Sequence, residues 1–184
     1  TQVYFRKVRN GPAARSRDIV YASRCAGGRE ASMSTQRLGA VVVAFNPDAG
    51  LGRRLAAIRP QVEALLIADN SPGAEARALV ARAAADSGAE LRVQPANLGI
   101  AGALNAAFRE LRARGFTHAL ALDQDSTPAP DLVRALLGAL TSPNGARLAV
   151  LGADWRDEST PGATPRHVTR PPWFPLLFRR RILP

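Results

Sequence analysis

Lysine is nearly missing from this chain of 184 residues: of 25 basic side chains, only Lys7 is a lysine. Arginine supplies the rest, beside abundant alanine, a bias that points to a GC-rich coding sequence rather than to phosphate-binding design. Cysteine occurs once, as Cys25. That excludes an internal disulfide and suits a reduced, cytoplasmic compartment. No apolar run reaches the ~18 residues of a spanning helix. The first residues lack the apolar core of a signal peptide. No G-x-G-x-x-G follows the first predicted strand, which argues against a dinucleotide-binding dehydrogenase. Aromatic residues make up only 5% of the chain and do not interleave with basic ones in its central part. With no Cys/His cluster either, nucleic acid is not an expected partner.

The charge is uneven. Residues 1–36 hold seven basic and two acidic side chains, residues 37–150 twelve and ten, and residues 151–184 six and three. The central part is therefore almost neutral and the flanks are basic. A chain of this length buries one α/β core, and one domain is the default.

Leu38-Gly39-Ala40-Val41-Val42-Val43-Ala44-Phe45 is continuously apolar, as in a strand buried on both faces. Residues 51–58 carry Leu51, Leu55 and Ile58 at helical spacing, and Pro60 stops them. Residues 64–68 predict a second strand, 75–86 an Ala-rich helix and 91–93 a weaker strand. A helix is expected from Asn97-Leu98-Gly99 to about Arg114, with Gly115 as its stop. His118 to Asp123 predicts a fourth strand, residues 130–140 a helix with Pro130 in its first turn, and residues 148–151 a fifth strand. Strands alternating with helices imply parallel crossovers and a mainly parallel sheet, an α/β Rossmann-like fold.

In such sheets ligands sit beyond the carboxyl ends of the strands. The polar clusters fall there: Asn46 after the first strand, Asp69-Asn70-Ser71 after the second, Asn97 after the third, Asp123-Gln124-Asp125 after the fourth. Two carboxylates at spacing i, i+2 are hard ligands for Mg²⁺ or Mn²⁺, which complete their shell with phosphates and water. A solvated turn is the plain alternative.

Val41-Val42-Val43-Ala44-Phe45-Asn46-Pro47, Ile67-Ala68-Asp69-Asn70-Ser71, Asn97-Leu98-Gly99-Ile100-Ala101 with Ala103-Leu104-Asn105, and Leu122-Asp123-Gln124-Asp125-Ser126 together resemble the family-2 glycosyltransferases. The Asp-Gln-Asp-Ser form looks most like the bacterial rhamnosyltransferase branch. The resemblance covers roughly residues 38–155. It departs at Ala44, where the family often has Thr, which leaves one contact to the base in doubt.

The resemblance implies a GT-A fold and a nucleoside-diphosphate sugar donor, with thymidine diphosphate-rhamnose the expected one. It implies inverting transfer to a glycan or lipid-linked acceptor in cell-surface polysaccharide synthesis. Nucleotide-binding residues would be Phe45, Asn46, Asp69, Asn70, Asn97, Gly99, Asn105 and Asp123. Asp69 would accept a hydrogen bond from a pyrimidine, and Asp123 and Asp125 would serve the ribose and the metal, Mg²⁺ or Mn²⁺. Gly99 and Gly102 would let backbone approach the ligand. Asn97 has an alternative as a helix cap, and Asn105 as an exposed helix residue. The resemblance also implies a fragment: the acceptor groove and the general base would lie in a further segment, so no catalytic residue is assigned.

Two other readings stay open. Asp123-Gln124-Asp125-Ser126-Thr127 fits the nucleophile loop of haloacid-dehalogenase-like phosphatases, with Asp123 attacking phosphorus and Asp125 as acid/base. Pro128, the absence of lysine after Lys7 and the lack of a later Asp-Asp pair oppose it. The other is a donor-binding fragment without turnover. A sugar-nucleotide pyrophosphorylase would need a Gly-rich basic loop where Asn46 to Gly52 stands.

Residues 33–155 are expected as the donor-binding domain. Residues 1–32 have no hydrophobic periodicity and read as a disordered extension, with an Arg-rich transit peptide as the alternative. Residues 156–184 read as the start of an acceptor region. Their stretch Pro171 to Arg181 is apolar and then basic, which also suits peripheral contact with the inner face of the cell membrane.

Overall fold

The computed structural model describes residues 6–7, 21–24, 36–141, 148–152 and 176–179. Its strands are β1 (Arg6–Lys7), β2 (Tyr21–Arg24), β3 (Leu38–Ala44), β4 (Ala64–Asp69), β5 (Glu90–Val93), β6 (His118–Asp123), β7 (Leu148–Gly152) and β8 (Leu176–Arg179). Its helices are α1 (Leu51–Ile58), α2 (Ala74–Ser87), α3 (Gly99–Ala113) and α4 (Leu132–Thr141). The five strands and four helices read from the apolar pattern are all present, within a few residues of their expected ends.

The strands form one sheet in the order β1-β2-β7-β8-β6-β3-β4-β5. Strands β6, β3, β4 and β5 are mutually parallel and make up the predicted α/β core. The rest departs from a simple parallel series. β8 lies between β6 and β7 and runs antiparallel to both. β7 therefore follows the direction of the parallel set without being paired to it. Residues 176–179 pair with a strand along each edge. Residues 1–32, read as an extension, contain β1 and β2, and β2 pairs antiparallel with β7.

Helices cover both faces of the parallel set. On one face Leu51, Leu55 and Ile58 of α1, Val80, Ala83 and Ala84 of α2, and Leu132, Val133, Leu136 and Leu140 of α4 pack on Ala40, Val42, Leu65, Ile67, Leu120 and Leu122. On the other, Ala107, Phe108 and Leu111 of α3 pack on Val41, Leu66, Ala119 and Ala121. Alternation along β3 thus feeds two cores at once, which is why its apolar run has no polar interruption. β5 is the edge of the parallel set, and its residues are at most half-buried, matching its weak pattern.

Gly39 shows how close α3 lies. A Cβ there would meet Leu111 Cδ2 at 2.5 Å and Cδ1 at 2.9 Å, and Leu111 is fully buried. Gly39→Ala is therefore expected to cost about 1–3 kcal/mol by overpacking. In a Leu111→Ala background, which itself loses about 2–5 kcal/mol, the same change should cost much less, because the clash partner is gone. Urea unfolding of the four proteins tests this; additive losses would refute the contact.

Candidate functional site

β3 is the strand from which the topology turns both ways: β4 lies on one side and β6 on the other. The crevice at their carboxyl ends is the place where this architecture receives a ligand. All four polar clusters expected from the sequence lie along that edge.

The β4 end is the most enclosed. Asp69 and Ser71 are fully buried and Asn70 nearly so. Asp69 Oδ1 accepts the Ser71 N–H at 2.9 Å. Its Oδ2 is buried with no hydrogen-bond partner among the described residues. A buried carboxylate oxygen left without a donor costs free energy, so this atom is a natural acceptor for an N–H brought by a ligand. Asn70 is spent on structure: its Nδ2 donates to Gly99 O at 3.2 Å and its Oδ1 accepts the Leu98 N–H at 3.3 Å. It ties the start of α3 to the end of β4 and acts on the site through that tie.

Gly99 has φ +67°, a backbone state that a side chain resists, and the space where its Cβ would stand is open. Asn97 Oδ1 accepts the Gly99 N–H at 2.8 Å, a turn just ahead of α3, whose N-cap is Leu98 rather than this exposed asparagine. At Gly102 a Cβ would meet Leu98 Cβ, at the N-cap of the same helix, at 2.9 Å. Asn105 is exposed on the second turn of α3.

At the β3 end, Asn46 holds φ 45°, unusual for a residue other than glycine. Its N–H donates to Ser71 Oγ at 3.0 Å, and the Asn70 N–H donates to Ala44 O at 2.8 Å. Phe45 is exposed beside them.

At the β6 end, Asp123 is half-buried and Asp125 exposed. Burial lifts the Asp123 carboxyl to about 6, and the charge of Asp125 adds to the lift. No cation partners either carboxylate among the described residues. The contrast with the opposite edge of the sheet is sharp. There Glu63 pairs with Arg37, and Glu90 and Glu110 pair with Arg92 and Arg114. The described residues hold no group of three or more metal-ligating side chains. Two carboxylates with uncompensated charge fit a divalent cation that keeps open positions for phosphate oxygens and water. Asp123 and Asp125 would hold it.

Register defines where a shared ligand would lie. Asp69 pairs with Ala44, and Asp123 with Val43. Alternation thus assigns Asp69 to the α1–α2 face and Asp123 to the α3 face. A molecule touching both lies across the sheet edge, over Ala44 and Phe45, rather than against one face. Two strand spacings separate the carboxylates laterally, roughly 10 Å.

Two side chains that sequence reading did not single out organise this edge. Gln124 Oε1 accepts the Phe45 N–H at 2.7 Å, and Gln124 Nε2 donates to Phe45 O at 3.1 Å. Arg54, nearly buried, donates from Nε to Gln124 O at 2.6 Å and pairs through Nη2 with Asp48 Oδ1 at 2.5 Å. Arg54 had a visible signal: it falls on the same helical face as Leu51, Leu55 and Ile58. Gln124 had none beyond its place between two aspartates.

The model of "Glycosyl transferase family 2" matches residues 40–183. No curated protein matches the chain. Among solved structures, a mannosyltransferase from Pyrobaculum calidifontis in complex with GDP-Man and Mn²⁺ aligns at TM-score 0.51 and 22% identity. That alignment covers 64% of this chain and 35% of the mannosyltransferase, so the chain spans about a third of its length. The 4-diphosphocytidyl-2C-methyl-D-erythritol synthase of Anaerococcus prevotii aligns at TM-score 0.52 and 12% identity, over 79% of this chain and 72% of that one. These two proteins carry out different chemistry, so the likeness shows the fold, and the family match is what separates the readings.

Asp123 yields a stability prediction. Its proton is held more tightly in the fold than at the ordinary carboxyl value of 3.8. The stability this contributes is complete below about pH 4 and is lost as pH rises through about 6. Asp123→Asn removes the buried charge. Solvent screening at this half-exposed site holds the gain to about 1 kcal/mol, or roughly 2–4 °C in Tm. The variant should melt higher than wild type at pH 8, with the gap closing by pH 4. A lower Tm at pH 8 would contradict the assignment.

Proposed function

The chain belongs to glycosyl transferase family 2, and on that premise we propose that it forms the donor side of a transferase that takes its sugar from a pyrimidine nucleoside diphosphate. The observation that carries this reading is the placement of Asp69 and the Asp123–Asp125 pair on either side of β3 at one sheet edge. The free Oδ2 of Asp69 suits the ring N–H of uracil or thymine. Their separation of roughly 10 Å is about the reach of a nucleoside from its base to its first phosphate. Asp123 is also near enough to this line to meet the ribose.

A divalent cation bound there supplies Lewis-acid stabilisation of the departing diphosphate. Asp123 and Asp125 hold it and set its position, and Gly99 leaves room for close approach by the donor. We further propose that the sugar is rhamnose, carried by thymidine diphosphate, and that it passes with inversion to a glycan or lipid-linked acceptor of cell-surface polysaccharide. The Asp-Gln-Asp-Ser and Asn-Leu-Gly-Ile-Ala segments support that choice. We place the reaction in the cytoplasm. Residues 33–155 are the proposed donor-binding domain.

Calorimetric titration with thymidine or uridine diphosphate tests the donor site. Affinity with Mn²⁺ or Mg²⁺ should exceed that with chelator by at least about tenfold, or ~1.4 kcal/mol. Asp125→Ala should remove that difference, and Asp69→Ala should weaken both nucleotides with or without metal. Equal binding by Asp125→Ala would sink the metal assignment. A covalent phosphoryl group on Asp123 would replace this reading with the phosphatase one.

A further inference from the structure

Strands β3 and β6 stay in register as far as Val43 and Asp123. Beyond that point β6 turns away, with the Ser126 N–H donating to Asp123 O at 3.3 Å. The backbone of Phe45 is left facing no strand on this side. The side chain of Gln124 fills the gap. It accepts from the Phe45 N–H at 2.7 Å and donates to the Phe45 carbonyl at 3.1 Å. Only one orientation of the amide satisfies both groups. The result is one more rung of the ladder, made by a side chain.

That rung is braced from below. The carbonyl of Gln124 accepts from Arg54 Nε at 2.6 Å. Arg54 is nearly buried and is paired with Asp48, whose Oδ1 also accepts the Gly50 N–H at 2.7 Å. The loop after β3, helix α1 and the turn after β6 thus close into one hydrogen-bonded ring. Phe45 and Asp123 are both attached to it directly.

We propose that Gln124 is a positioning residue that holds the metal-side carboxylates at a set distance from the base-side loop, so that one ligand engages both. The inference rests on the donor-site reading above. It concerns the link across β3 and β6, which is separate from the links across β3 and β4. Those come from the Asn46 N–H to Ser71 Oγ and the Asn70 N–H to Ala44 O. Losing the Gln124 side chain therefore leaves the β3–β4 links intact and loosens the turn after β6 from Phe45, with the Arg54 bond to the carbonyl of residue 124 still in place. Preorganised geometry is what allows two contacts on one ligand to reinforce each other.

The test compares wild type with Gln124→Ala and Gln124→Met. The second keeps length and bulk but makes neither hydrogen bond. Affinity for uridine diphosphate is measured with Mn²⁺ and with chelator, and the ratio of the two is the readout. Two neutral hydrogen bonds of ordinary strength set the expected drop in that ratio at roughly tenfold in both variants. Affinity without metal should stay within about twofold, as a local loss of two partly exposed bonds implies. A ratio that survives in both variants overturns the positioning role, as does a loss of equal size with and without metal. If wild type itself shows no Mn²⁺ enhancement, the donor-site reading fails and takes this inference with it.

Discussion

β3 is hydrogen-bonded along both edges and covered on both faces, and the rest of the chain follows from meeting those four demands at once. Its alternate residues enter two different cores. α1, α2 and α4 must cover one face and α3 the other. β4 and β6 must flank it, which forces the chain to leave β3 in one direction and return on the opposite side. The ligand crevice is a by-product of that reversal, because the connections diverge where the strands end.

The two edges of the parallel sheet then take opposite electrostatic characters. At the amino edge the carboxylates are matched by arginines, and Arg37 also stacks 4.5 Å above the buried ring of Phe116. Surface pairs of this kind add little each, yet they give Glu63, Glu90 and Glu110 each a partner of opposite sign. At the carboxyl edge none of Asp69, Asp123 and Asp125 forms an ion pair among the described residues, and the arginines there, Arg54 and Arg77, donate to the carbonyls of Gln124 and Ser71. Among the described residues, Arg54 pairs with Asp48 beneath the turn. The fold concentrates its electrostatic cost where a ligand would relieve it, as functional sites commonly do.

Much of this was legible in the residues. The runs 38–44, 64–69 and 118–123 are apolar without alternation, and only a strand covered on both faces calls for that. Asp69 and Asp123 stood out because a carboxylate ends each run. β8 was not legible: four residues between prolines carry too short a period, and their place between β6 and β7 is decided by pairing far along the chain. The Gln124 rung was hidden for the same reason, since its partner lies 79 residues away. Asn70 comes to notice only through the resemblance, and its bonds to Leu98 and Gly99, 28 and 29 residues on, are a feature no single segment shows. The site was visible as a set of strand ends, while the bonds that join those ends belong to tertiary structure.

The complete burial of Asp69 has a kinetic meaning. In the ligand-free chain this carboxylate has no exposed surface, so a diffusing molecule does not meet it on first encounter. A ligand that reaches Oδ2 must therefore meet it in an arrangement other than this one, in which the atom is open to it. The apparent association constant is then scaled by the fraction of time spent open. Such a site fills more slowly than collision allows, and its filling rate levels off as ligand concentration rises toward the rate of opening. The exposed pair side would be met first, and the buried acceptor would close the encounter afterwards.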